Sequence, residues 1–68
     1  MHQDITHKGK VYRIIWEPPA LSHPAEFVCV IYNISNPNDP REIFRETCFD
    51  ETKFARLRHN AELHVADL

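Results

Sequence analysis

The sequence predicts an α+β fold, an antiparallel β-meander of three or four strands with one C-terminal α-helix packed on one face. Three observations carry this. The stretch Glu26 to Ile34 alternates Phe27, Cys29 and Ile31 with Val28, Val30, Tyr32 and Ile34, so as a strand it is apolar on both faces. The run Val11 to Trp16 is a second β-rich segment. Near the C-terminus, Phe54, Leu57, Ala61, Val65 and Leu68 recur at helical spacing. A strand apolar on both faces needs neighbours left and right, which puts residues 26–34 inside the sheet. The helix is the natural cover for one face.

Taken in order, Met1 to His7 is polar apart from Ile5 and either frays or forms a short first strand, the optional fourth of the sheet. Lys8-Gly9 suits a tight turn, because Gly accepts positive φ. In the next strand Tyr12, Ile14 and Trp16 share one face, and Val11, Arg13 and Ile15 share the other. The arginine marks the second face as partly wet, as antiparallel sheets allow. Pro18, Pro19 and Pro24 make Glu17 to Pro24 a stiff connection, with Leu21 expected to tuck back onto the sheet. Asn36-Pro37-Asn38-Asp39-Pro40 is dense in turn formers.

Residues 40–49 carry conflicting signals. Asp39-Pro40-Arg41-Glu42 resembles a helix entry, yet Ile43, Phe44, Thr47, Cys48 and Phe49 are mostly β-formers in a short segment. A strand returning beside residues 26–34 is the preferred reading. Asp50 is the expected cap of the final helix, with Phe49 and Phe54 placed to form a hydrophobic staple. The chain reads as a single small domain over residues 1–68, without internal repeats.

Composition narrows function by exclusion. The 68 residues are 43% apolar and 26% charged with one Gly, which argues against a disordered linker. A chain this short buries only about 60% of its unfolded surface, leaving little room for a closed active site. The net charge of −2 lacks the strong basic excess of a typical nucleic-acid binder. No apolar stretch approaches the ~20 residues that span a bilayer, and no leader-like segment stands at the start. With Cys29 and Cys48 forming no disulfide framework, the expectation is a soluble cytoplasmic protein with no membrane association.

His2, His7, His23, His59, His64 and the two cysteines lack the close pairing of a zinc site. His59 and His64 stand about 140° apart around a helix, so they do not share a face. No metal or cofactor is expected. Cys48, ahead of the helix cap, is the better placed thiol, but Glu46, Asp50 and Glu51 disfavour its thiolate. Ser22-His23 are adjacent without any sign of base geometry, and Gly9 alone makes no phosphate loop. The expectation is a protein that is not an enzyme.

Two binding readings remain. In the first, the sheet face opposite the helix stays uncovered and mediates self-association or docking on a protein partner, through Val11, Arg13, Ile15, Val28, Val30 and Tyr32. The pattern alone leaves open which set the helix covers. In the second, the sheet binds nucleic acid through Lys8, Lys10, Arg13, Arg41 and Arg45. Tyr12, Trp16 and Tyr32 could then offer a stacking platform, although a domain of this size needs such rings in its core. A glutamate follows both Arg41 and Arg45, weakening their field for phosphate.

Overall fold

The computed structural model describes residues 1–17 and 26–68. The proline-rich connection, with Leu21, Ser22 and His23, lies outside the described residues. Four strands, β1 (His2–His7), β2 (Lys10–Glu17), β3 (Phe27–Asn33) and β4 (Arg41–Cys48), form one sheet in the order β1-β2-β3-β4. Every pairing is antiparallel. The segment beginning at Arg41 is therefore a strand. Its helix-like entry is overridden because Ile31 and Phe44 meet across the β3–β4 ladder and both pack into the core.

The β1–β2 connection is two residues long, with φ of 51° at Lys8 and 77° at Gly9. Positive φ at both central positions is what a type I′ hairpin requires, and it matches the right-handed twist of the strands. Between β3 and β4 the register slips, so that Ile31 faces Phe44 while Tyr32 faces Glu42. Ile43 is the extra residue of this β-bulge, and both Ile43 and Phe44 pack against the core.

The helix α1 (Phe54–Ala66) follows a single 3-10 turn over Glu51–Lys53. Asp50 caps that turn: its Oδ1 accepts from Thr52 N at 2.9 Å and from Thr52 Oγ1 at 2.8 Å. The hydrogen bonds to Thr52 hold the Asp50 carboxyl below its ordinary pKa. The expected Phe49–Phe54 staple does not form. Phe49 is exposed, and Phe54 instead meets Phe27 edge-on, with ring centroids 5.0 Å apart. The 3-10 turn between cap and helix separates the two residues that a continuous helix would bring together.

Leu57, Ala61 and Val65 of α1 bury themselves against Tyr12, Ile14 and Trp16 of β2 and Cys29 and Ile31 of β3. Leu68, the last member of the expected stripe, lies beyond the helix and is exposed. The rest of the stripe sets the layering: the helix covers the face bearing the aromatic residues of β2. Polar groups at the margin of this layer are partnered. Asn60 donates to Glu46 at 3.3 Å, Arg58 donates to Gln3 at 3.2 Å, and the Arg58 guanidinium stands 4.3 Å from the Trp16 ring centre.

Candidate interaction surface

Strand alternation fixes what the opposite face presents. With Tyr12, Ile14 and Trp16 under the helix, Val11, Arg13, Ile15 and Glu17 of β2 point away from it. On β3 the same logic turns Val28, Val30 and Tyr32 outward. Cross-strand pairing then orders the face into rows. Ile15 lies beside Val30, which lies beside Arg45; Arg13 lies beside Tyr32; Glu17 lies beside Val28. Asp4 of β1 pairs with Arg13 from the other side. Among the described residues, no element lies across these rows.

Val30 is only 7% exposed although no layer of the described residues covers it; Ile15 and Arg45 flank it directly. It belongs to a hollow of about 320 Å³ lined also by Glu17, Val28 and Tyr32. A second hollow of about 340 Å³ continues over Arg13, Ile15, Tyr32, Ile34 and Pro40. The centre of the face is thus apolar and shared by two adjacent strands. All six residues expected at an uncovered surface lie on this one face.

Its margins carry charge in balanced pairs. Arg13 makes a two-pronged bond to Asp4, Nε to Oδ1 at 2.8 Å and Nη2 to Oδ2 at 3.0 Å. The bond holds the Asp4 carboxyl below its ordinary pKa and raises that of Arg13. At the β4 margin, Arg45 Nε donates to Glu42 at 2.9 Å. The pairing runs back to Glu42 because the bulge at Ile43 shifts the alternation; Glu46 instead reaches Asn60 on the helix side.

These pairs bear directly on the basic residues considered for nucleic acid. Arg13 is engaged by Asp4, Arg45 by Glu42, and Arg41 by Asp39 at 3.0 Å. Lys8 and Lys10 sit at the hairpin end of the sheet, where the β3–β4 loop and Arg41 also lie. The three-ring stacking platform is not assembled: Tyr12 and Trp16 are buried under the helix, and Tyr32 alone is on the open side.

Among the described residues, no group of three His, Cys, Asp or Glu is placed to hold a metal ion. Cys29 is buried, and burial together with the nearby Glu46 pushes its thiol pKa up. Cys48 donates its thiol hydrogen to the Asp50 carbonyl at 3.4 Å. Among the described residues, no helix is long and apolar enough to cross a membrane. Set against protein-family models, curated proteins and solved structures, the chain matches none of them.

Sequence reasoning missed two contributors to the face. Asp4 was hidden in a polar stretch whose strand character depended on the turn at Lys8-Gly9. Glu17 borders the prolines and reads as loop, yet it is the last residue of β2 and lines the first hollow.

Proposed function

We propose that this chain is a non-catalytic protein-binding module that acts through the sheet face opposite its helix. The observation that carries the reading is the apolar centre formed by Ile15, Val28, Val30 and Tyr32, with Val11 and Ile34 extending it. A contiguous apolar patch rimmed by charge is the usual mark of an interface on a small soluble protein. The paired rim arginines support it further. Their carboxylate partners neutralise the arginines of the candidate nucleic-acid set, leaving Lys8 and Lys10 as its cations without an ion pair among the described residues. A cytoplasmic setting accords with the two free thiols.

Photo-cross-linking tests the reading. A photoreactive side chain at Val30 should yield adducts with protein, whether another copy or a different chain, and the same group at exposed Arg56 on the helix should not. Equal adduct yields at both positions would defeat the proposal. The nucleic-acid alternative is separated by titrating mixed DNA and RNA at about 50 mM salt, where phosphate-driven binding is strong. The expected outcome is no saturable binding. Binding that weakens steeply with salt and disappears on joint Lys8→Ala and Lys10→Ala replacement would favour that alternative.

A further inference from the structure

We infer that the occupant of this face is a second copy of the chain, packed sheet to sheet about a two-fold axis that crosses the strands at the Ile15–Val30 row. The inference rests on the protein-binding reading above and names its partner.

The order of residues on β2 supplies the argument. Facing away from the helix, it presents Arg13, Ile15 and Glu17: positive, apolar, negative. Reversed, the series reads negative, apolar, positive. A second β2 laid antiparallel over the first, with Ile15 over Ile15, sets each Arg13 against the partner's Glu17. The same rotation leaves β3 apolar against apolar. Val28 and Tyr32 exchange places about Val30, because these three residues occupy the rows of Glu17, Arg13 and Ile15 respectively. Along β2 and β3 the face is therefore complementary to itself in charge and hydropathy, as an isologous interface requires, while on β4 the same axis brings Arg45, held by its own Glu42, beside the partner's copy.

Charge availability fits as well. Glu17 is exposed and has no ion-pair partner among the described residues. Arg13 keeps Asp4 on its own sheet and has further guanidinium donors for a second carboxylate. Stacked sheets stand about 10 Å apart, close enough for apolar side chains from the two faces to interdigitate.

Area decides the strength. Four strands about 4.8 Å apart, each with about seven residues rising about 3.3 Å, present roughly 440 Å² of plane before side-chain relief is added. A standard interface buries about 800 Å² per partner. At roughly 900 Å² for the two faces together the pair falls in the weak, transient class, with reversible dimerisation at micromolar or higher concentrations.

Sedimentation velocity from about 1 µM to 1 mM reads the equilibrium over the range such an interface implies. Arg13→Glu, made together with Asp4→Asn so that no like charge arises within the sheet, should weaken dimerisation about ten-fold or more. Glu17→Arg should do the same. Mixing these two variants should restore the dimer, because both cross-copy contacts then join opposite charges. Ile15→Asp, checked for native circular dichroism, should remain monomeric and serves if the Arg13 variant fails to fold. A wild-type chain that stays monomeric throughout overturns the second-copy occupant, while the Val30 cross-linking result still decides the protein-binding reading. A dimer indifferent to the charge reversals, or not recovered on mixing, overturns the two-fold arrangement.

Discussion

Gly9 adopts a φ of 77°, and nothing stands within 4 Å of where a Cβ would be placed there. Its requirement is thus conformational and not steric crowding by neighbours. Gly9→Ala is expected to cost about 1 kcal/mol by urea denaturation, through strain at positive φ alone. Lys8→Asn at the preceding turn position should gain a few tenths of a kcal/mol, since Asn tolerates the left-handed region better than Lys. The two cysteines should separate chemically in the native protein. Cys48, only partly buried, should react with a thiol reagent, while Cys29 should react on the timescale of unfolding. Burial first, then Glu46, raises the Cys29 pKa, while Arg58 opposes them weakly. The folded state therefore holds the Cys29 proton at a pH where the unfolded chain has released it. This contribution is whole below the unfolded thiol's ordinary value and drains away as pH rises through the folded one. The urea midpoint should fall as pH rises above about 8.5, the unfolded thiol's ordinary value, and less steeply in Cys29→Ala.

At the scale of elements, helix and sheet depend on a narrow seam. Leu57, Ala61 and Val65 are the buried residues of α1, and Leu57 is the largest of the three. Leu57→Ala should cost about 2–4 kcal/mol by loss of burial and by the cavity left behind. A domain of this size commands only about 3–5 kcal/mol in total, so the variant should keep on the order of 1 kcal/mol, and circular dichroism should show a sharply lowered thermal midpoint with a detectable unfolded fraction at 25 °C. The seam was legible in the chain because Phe54, Leu57, Ala61 and Val65 follow a helical period and β2 and β3 a period of two. The bulge was not. Pattern reasoning assumes one residue opposite one, and nothing local in Arg41–Cys48 announces that Ile43 is extra. The same blindness hid the Arg45–Glu42 pair, since strict alternation sends positions 42 and 45 to opposite faces. The staple failed for a related reason: capping rules assume that the helix begins directly after its cap, whereas a 3-10 turn intervenes.

For the molecule as a whole, six apolar or amphipathic positions chosen from alternation alone share the face opposite the helix. Their grouping on one face was readable from alternation, but the pattern left open which set the helix covers; packing of Tyr12, Ile14 and Trp16 against Leu57, Ala61 and Val65 decides it. The rim was not readable, because the partners of Arg13 and Arg45 are set by strand pairing and by the bulge. If two copies associate by this face, stability must depend on concentration by mass action. The thermal midpoint should rise by several degrees between about 5 µM and 500 µM protein, and Ile15→Asp should abolish the rise. A midpoint independent of concentration would count against association.

The irregular register at Ile43 also bears on how far assembly can proceed. β4 is an outer strand of the sheet, and an outer strand with evenly spaced free amides and carbonyls invites the next chain to add on without limit. A bulge breaks that spacing and bends the strand, so a straight newcomer finds no continuous ladder to join. Open-ended growth into fibres is thereby discouraged at this border.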